Sequence, residues 1–399
     1  MGTVYANSVL NLTAVDSPDS YTGLFFQRLE NRLLGWRFKV PLEQEQGVSY
    51  EESVWDCVPA RRRESFTNNV LTARAWVFQE RFLAPRNLYF GMDELSWECR
   101  TRSTYEASPF DDQSLVRDGS LPFHNPLVDI TNSATQWFQI LKHYSKGRLT
   151  VESDKLTALS GVAKLFALKS GKTYIAGLWK EDLLNQLLWK VASPTNKIGI
   201  YRAPSWSWAA VDSQVDLLCD QHTTEPIKPL ITVEQYFVEP SQSIFEDGRG
   251  AYVLVRTPGL KSCRIAIWKG KRGDWGWGQL GNLVIELPWW SPGTQLYSEL
   301  SLDIKDLDLG CDFYLLQLFV GTGLVVKPTN EGSFVRVGCF RHLTVYESEV
   351  EIGTEESSQL YKRFARQMAK LTDGERGILG DSVGLMRTGT LFTLSNLFS

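Results

Sequence analysis

One short segment, a helix-like pattern followed by a proline, constrains the fold of this chain more than any other stretch. Residues 71–84 place apolar side chains on two sides of a helix, so we predict a helix that is buried on both sides. One side carries Leu71, Ala75, Phe78 and Phe82, and the other carries Trp76 and Leu83. Pro85 disfavours helical geometry at the residue before it, which predicts that the helix ends at Ala84.

Gln79 lies between the two apolar patches. A buried amide without a hydrogen-bond partner costs roughly 1–3 kcal/mol, so Gln79 is predicted to have buried partners. The same two-sided burial predicts that Trp76, Phe78, Gln79 and Trp97 are structural. Replacing Trp76 or Phe78 by alanine is then expected to cost roughly 3–5 kcal/mol.

After Pro85 the pattern changes to a period of two, which is typical of strands. Residues 86–90 and 95–99 are predicted to form two strands around the turn at residues 91–93. Trp97 and Cys99 fall on the face that carries the apolar residues, which favours an inert core thiol. The alternative is a nucleophile at Cys99 with His124 or His143 as its base, if the fold brings them together.

Charged residues accompany this helix and hairpin. The carboxylates are Glu80 and Glu98, and the arginines are Arg74, Arg81 and Arg86. One interpretation is an ion-pair network that clamps a buried helix, and we favour it. The other is a site with a carboxylate for acid–base chemistry and arginines for a phosphate-bearing ligand. We assign no catalytic residue, and Glu80 and Glu98 are the candidates.

Composition excludes several classes of protein. The net charge is −4 and the pI about 5.8, so no global basic field points to nucleic acid. The six cysteines include no Cys-x-x-Cys pair, and no two of the four histidines have metal-ligand spacing, so neither a metal nor a cofactor is predicted. No apolar window is long enough for a membrane span, and no signal peptide is evident. We therefore predict a cytoplasmic protein.

The helix–hairpin block resembles the last signature block of the fungal heterokaryon incompatibility (HET) domain. The matching residues are Arg74, Trp76, Gln79, Glu80, Arg81, Leu83, Pro85, Arg86, Phe90, Trp97, Glu98 and Cys99. Later segments resemble the region that follows the domain in many HET proteins. They are residues 154–161, residues 177–179, and the run with Pro204, Ser205, Trp206 and Trp208.

The resemblance also has a gap. Two signature blocks of the front half of the family, an aromatic-Leu-Ser-Tyr-x-Trp-Gly strand and a Trp-Ile-Asp-x-x-Cys-Ile-x-Gln segment, match nothing in this chain. The resemblance thus implies a chain without the N-terminal half of the HET domain, through a truncated gene model or a true short form. We expect such a chain to be impaired in signalling.

Two functions follow from the resemblance. The first is a signalling and interaction protein of fungal non-self recognition, whose complete HET domain triggers growth arrest or cell death through protein partners. The second is an enzyme, because the HET domain is often compared with TIR-like domains, some of which cleave NAD. The absent front half includes strand ends that would complete a nucleotide pocket, so we favour the first.

The whole chain is predicted to be α+β. Its parts are the C-terminal part of a HET domain (1–103), a linker (104–131), a three-helix segment (132–195), an antiparallel β-rich domain packed on it (196–350), and a helix with a tail (351–399). The first two helices show apolar stripes that include Trp137 and Phe166, and the third has Leu184, Leu187 and Leu188 inward. From Tyr201 the period is two, which predicts a strand with Trp206 and Trp208 on one side. Further strands are predicted at residues 252–256, 264–268, 283–287, 313–319, 324–327 and 334–339.

Overall fold

The structure is a computed structural model in which two compact units divide the chain. The described residues are 2–28, 36–42, 51–57, 71–100, 102–106, 133–218, 228–239, 251–257, 259–267, 283–286, 295–305, 307–319, 321–330, 332–346 and 390–394. Unit 1 comprises Met1–Asp154 and Ala158–Ser170, and unit 2 comprises Lys155–Thr157 and Gly171–Ser399. No helix within the described ranges combines the length and the apolar character that a membrane span requires.

Unit 1 combines helices with a small mixed sheet. Its helices are α1 (Gly2–Ala6), α2 (Ala75–Leu83), α3 (Ser133–Tyr144) and α4 (Ser160–Ser170). Its strands are β1 (Asn11–Thr13), β2 (Trp36–Leu42), β3 (Glu51–Cys57), β4 (Arg86–Phe90), β5 (Leu95–Cys99) and β6 (Ser103–Tyr105). A four-stranded sheet has the order β1-β4-β5-β6, with β1 parallel to β4 and the other pairs antiparallel, while β2 and β3 form a separate antiparallel ladder.

Helix α2 begins later than its sequence pattern predicts. The backbone before it is held in a bridge, because the amide of Arg148 donates to the carbonyl of Ala73 at 2.6 Å and the amide of Ala75 donates to Arg148 at 2.9 Å. This pairing keeps residues 71–74 out of the helix. At the other end the helix stops after Leu83, as Pro85 predicts, and β4 follows directly.

The buried side of α2 differs from the predicted stripe. Its buried residues are Ala75, Val77, Gln79 and Leu83. Phe78 and Phe82 are only half-buried and stack on each other with ring centroids 5.8 Å apart. Trp76 is also half-buried, so Trp76 and Phe78 are less buried than predicted, and the cost of roughly 3–5 kcal/mol for alanine at either position stays a prediction.

The stripes of the first two helices after residue 132 belong to the core of unit 1. Trp137, Phe138, Leu141 and Tyr144 of α3 are buried, as are Val162, Ala163 and Phe166 of α4. The rings of Trp137 and Phe166 lie 5.3 Å apart. These helices are therefore grouped with the N-terminal residues, which differs from the predicted three-helix segment. The predicted linker starts within β6, and residues 107–131 of it lie outside the described ranges.

Unit 2 is dominated by strands. They are β7 (Tyr174–Ile175), β8 (Leu178–Trp179), β9 (Trp189–Val191), β10 (Val215–Leu217), β11 (Thr232–Val238), β12 (Ala251–Thr257), β13 (Lys261–Ile267), β14 (Leu283–Glu286), β15 (Gln295–Leu302), β16 (Phe313–Phe319), β17 (Thr322–Pro328), β18 (Phe334–Tyr346) and β19 (Thr390–Leu394). The third predicted helix is a 3-10 turn, Lys180–Asp182, followed by the four-residue helix α5 (Leu183–Gln186). Leu187 and Leu188 are buried after it, and Leu184 is half-buried.

The main sheet of unit 2 has nine strands, in the order β11-β12-β19-β18-β15-β14-β13-β16-β17. Because β17 also pairs with β18, the strands from β13 to β18 form a closed ring. All of their pairings are antiparallel, and a parallel contact joins β18 to β19 at Phe334 and Leu394. The core of the ring comprises Cys263, Ile265, Leu302, Phe313, Leu315, Val325, Val335, Val337 and Phe340.

Several strand predictions agree with the structure and one is wrong. Residues 313–319 form the predicted strand, and those near 252–256, 264–268, 283–287, 324–327 and 334–339 are strands with shifted ends. Residues 202–209 are instead a continuously buried loop with a 3-10 turn, Trp208–Ala210, so Trp206 and Trp208 are not on one face of a strand. Most of the predicted C-terminal helix and tail lies outside the described residues, and β19 falls within the tail.

A buried ion pair joins Arg336 of β18 to Asp303, the residue after β15, and Arg336 also binds the backbone at the start of β9. The side chain of Arg336 is 0% exposed and binds Asp303 through Nε at 2.9 Å and Nη2 at 3.2 Å. Its Nη1 and Nη2 also donate to the carbonyls of Leu187 and Trp189, both at 2.5 Å. The guanidinium lies 3.4 Å from the ring centroid of Trp189. The charge is thus paired and hydrogen-bonded, as a buried charge must be.

Replacing Asp303 by asparagine leaves the Arg336 charge buried without its carboxylate. We expect the free energy of unfolding of unit 2 to fall by about 3–5 kcal/mol. Urea unfolding followed by tryptophan fluorescence measures this. The control is Asp308→Asn, because Asp308 is exposed, and its effect is expected to stay within about 0.5 kcal/mol. Equal effects of the two variants would contradict the structural role of the pair.

Candidate functional site

The structure brings Arg81, Tyr89 and Glu98 together in what we call the inner cluster. Arg81 binds both oxygens of Glu98, from Nε at 2.8 Å and from Nη2 at 2.9 Å. The hydroxyl of Tyr89 donates to Oε2 of Glu98 at 2.6 Å. Glu98 is only 3% exposed. Helix α2 supplies the arginine, and diagonal positions on β4 and β5 supply the other two groups.

The inner cluster explains which face of the β4–β5 hairpin is buried. Asn87 pairs with Glu98 and Tyr89 pairs with Ser96 in the strand register, and all four side chains are buried. Because side chains alternate between faces, Trp97 and Cys99 lie on the opposite face, where both are half-buried. The prediction that Cys99 lies in an apolar core is therefore wrong. Polar pairing, rather than hydrophobicity, decides the inner face.

Burial dominates the electrostatics of the inner cluster. It raises the pKa of Tyr89 well above its ordinary range, and the Glu98 carboxylate raises this pKa further. Burial acts to lower the pKa of Arg81, but the charge of Glu98 raises it, so the guanidinium stays charged. Both oxygens of Glu98 already accept hydrogen bonds. Glu98 is therefore placed to fix α2 on the hairpin, and proton transfer to a ligand would first require this contact to open.

Glu80 belongs to a different group, which we call the outer cluster, together with Tyr5 and Arg74. Tyr5 of α1 forms a side-chain hydrogen bond with Glu80, and Arg74 interacts with Glu80 through its charge. Glu80 is half-buried, and this burial raises the pKa of its carboxyl group. Burial, followed by the charge of Glu80, also raises the pKa of Tyr5. A half-buried carboxyl with a raised pKa suits acid–base chemistry better than Glu98 does.

The remaining residues of the block have structural contacts. Gln79 is buried, and its Oε1 accepts the amide hydrogen of Gly161 at 2.6 Å. The indole of Trp76 donates to Asp154 at 3.2 Å. Arg86 is exposed and donates to the carbonyl of Val9 at 3.3 Å. His124, one of the two histidines considered as a base for Cys99, lies outside the described residues.

The second signature run lies in the core of unit 2. Trp206 and Trp208 are both 0% exposed. Trp208 donates from its indole to the carbonyl of Gly177 at 2.8 Å, and Ser207 donates to Ala176 at 2.6 Å. A Cβ at Gly177 would lie 2.7 Å from the Trp208 indole nitrogen, so this position needs glycine. Ser205 accepts the amide hydrogen of Arg336 at 3.1 Å, and Pro204 accepts that of Ser207 at 2.9 Å.

A cluster that the sequence analysis missed joins Lys155, Arg202 and Asp212 within unit 2. One carboxylate oxygen of Asp212 accepts from Lys155 at 3.0 Å and from Arg202 at 2.6 Å. Lys155 also donates to the carbonyl of Val211 at 2.7 Å. Burial, together with the Arg202 charge, lowers the pKa of Lys155 to about 8. The sequence feature that could have indicated this cluster is the position of its two cations. Lys155 lies within the motif block 154–161, and Arg202 directly precedes the block 203–209.

The geometry includes no metal site among the residues that the structure describes, since they contain no group of at least three metal-ligating side chains. Cys99, Cys263, Cys311 and Cys339 are not joined by disulfides. Burial raises the pKa of Cys263 to about 12, which makes this thiol inert. Of the sequence candidates, Glu80 is thus the group with both partial exposure and a perturbed pKa.

Comparison of the chain with protein-family models, with curated proteins and with solved structures finds no match.

The two carboxylates are expected to respond differently to removal of charge. Glu98→Gln leaves the mostly buried Arg81 without its anion, so we expect a loss of about 2–4 kcal/mol in the free energy of unfolding. Glu80→Gln alters a half-buried group and is expected to cost less than about 1 kcal/mol. Urea unfolding of both variants beside the unchanged protein tests this. A larger loss of unfolding free energy for Glu80→Gln than for Glu98→Gln would contradict the structural role of Glu98 in the inner cluster.

Lys155 predicts a dependence of stability on pH. Its folded-state pKa is about 8, against an ordinary value of 10.5, so the unfolded chain binds more protons between these values. The contribution of Lys155 to the free energy of unfolding should therefore rise by about 2 kcal/mol from pH 7 to pH 9.5. The measurement is the difference in unfolding free energy between the unchanged protein and Lys155→Met at both pH values. The exposed Lys164→Met is the control, and a difference that stays constant with pH would refute the prediction.

Proposed function

We propose that the chain is a HET-type signalling protein of fungal non-self recognition that acts through contacts with other proteins. The observation that carries this proposal is the ordered set of motif blocks, residues 74–86, 97–99, 154–161, 177–179 and 203–209. Their order and spacing resemble those of HET proteins over about half of the chain. Because the resemblance is one of sequence, it bears on the family and its role rather than on a reaction.

The contacts of the block support a role in interaction more than one in catalysis. Glu98 is closed off by Arg81 and Tyr89, and Gln79 is used within the fold. The signature residues of the 203–209 run are buried and bonded to the backbone. Most signature residues thus stabilise the fold, which leaves the surface of the block to contact partners.

A second candidate is a NAD-consuming enzyme of the TIR-like kind. One observation favours it: Glu80 is half-buried, has a raised pKa and lies beside Tyr5 and Arg74. A carboxyl group in such a setting can take part in proton transfer or stabilise positive charge, and an arginine can bind a phosphate. Glu80 is therefore the residue on which the two candidates make different predictions.

The experiment that tests the proposal is deletion of the gene in its own fungus. We expect the deletion strain to lose cell death after fusion with at least one incompatible strain, and the unchanged gene to restore it. Unaltered incompatibility in every pairing would contradict the proposal.

Reintroduction of Glu80→Gln separates the two candidates. If the protein acts through interaction, this variant restores cell death at normal abundance, because the fold is little changed. If the outer cluster is catalytic, the variant fails at normal abundance, and cellular NAD falls only with the unchanged gene. Tyr89→Phe serves as the structural control, since it removes one hydrogen bond to the buried carboxylate of the inner cluster, worth about 1.5–3 kcal/mol.

A further inference from the structure

Two arginines of unit 1 lie directly opposite each other. Arg74, just before α2, and Arg148, after α3, are partners in a parallel β-bridge. The amide of Arg148 donates to Ala73, and the amide of Ala75 donates to Arg148. Partners in such a bridge lie about 5 Å apart and direct their side chains to the same face. The two guanidinium groups therefore project from adjacent positions.

This pair belongs to a basic surface. Arg74, Lys146 and Arg148 are all exposed, and we call them the basic ridge. The carboxylate that interacts with Arg74 is Glu80, from the outer cluster. Within the described ranges no carboxylate forms an ion pair with Lys146 or Arg148. The first turn of α2 contains no acidic residue either. The ridge thus carries excess positive charge in a chain whose net charge is −4.

The backbone holds the ridge in place. Gly147 lies so close to the start of α2 that a Cβ there would stand 2.7 Å from the Cα of Ala75. Its amide donates to the carbonyl of Tyr144 at 2.9 Å, which ties the turn to the buried end of α3. The spacing of the two arginine backbones is therefore set before any ligand arrives, so no backbone entropy is lost there on binding.

Like charges directly opposite each other repel, so an anion bound between the two arginines would relieve this repulsion. Guanidinium groups bind phosphate oxygens through paired hydrogen bonds, and two of them at this spacing can share one phosphate or pyrophosphate group. We propose that the basic ridge binds the phosphate or pyrophosphate group of a ligand. The site goes beyond the signalling role proposed above and does not depend on it.

The direct test is calorimetric titration of the purified 399-residue protein with inorganic pyrophosphate at low salt. We expect saturable binding that weakens as salt rises. Arg148→Gln and Arg74→Gln should each weaken it roughly tenfold or more, because each removes a charge-assisted contact. The pyrophosphate affinity of Arg148→Lys should lie between those of the unchanged protein and Arg148→Gln, since lysine keeps the charge but cannot form the paired hydrogen bonds of a guanidinium group. Lys164→Gln removes an exposed charge on α4 and should leave binding unchanged.

A second arm distinguishes a soluble ligand from a lipid headgroup. Co-sedimentation with phosphatidylcholine vesicles, with and without phosphatidylinositol phosphates, is measured for the same variants. Binding to pyrophosphate alone identifies a soluble ligand. Binding to the phosphorylated vesicles that pyrophosphate competes away identifies a headgroup. Absence of saturable binding in both arms overturns the proposal, as does equal binding by the unchanged protein and both arginine-to-glutamine variants when their melting temperatures match.

Discussion

The two hydrogen bonds between Arg81 and Glu98 decide how unit 1 is built. They require a charged residue of α2 to meet a charged residue of β5, so the hairpin must turn its polar face inward. Tyr89 completes the pairing, and Asn87 adds a bond to the backbone carbonyl of Arg81 at 3.1 Å. Asn87 also accepts from Asn11, which connects the parallel strand β1 to the same arrangement. Helix, hairpin and first strand therefore depend on one buried ion pair.

In unit 2, tryptophan side chains provide hydrogen-bond partners for buried backbone carbonyls. The indoles of Trp189 and Trp208 donate to the backbone carbonyls of Trp206 and Gly177, so these two buried carbonyls keep hydrogen-bond partners. Arg336 serves the same purpose from the strand side, since it binds two backbone carbonyls and a carboxylate. The residues of unit 2 that carry the motif resemblance are thus residues whose contacts stabilise the fold.

The sequence predicted where helices and strands lie more accurately than it predicted which of their faces are buried. Pro85 placed the end of α2, and the strand at residues 313–319 was predicted to the residue, because both depend on local geometry. The buried face of the β4–β5 hairpin was predicted wrongly, since Trp97 outranks Glu98 on any hydrophobic scale until the contacts of Arg81 and Tyr89 are known. The Lys155 cluster was missed because its members are 57 and 10 positions from Asp212. A long-range polar contact leaves no periodic signal.

The contact between Gln79 and Gly161 has a consequence for how such chains can diverge. The amide oxygen of Gln79 occupies the space that a side chain at position 161 would need, with 2.6 Å to the place of its Cβ. Positions 82 residues apart are thereby made interdependent. A shorter residue at 79 would leave the Gly161 amide unbonded, while any larger residue at 161 would displace Gln79. The two positions should covary among related sequences, with change at either one tolerated only alongside change at the other.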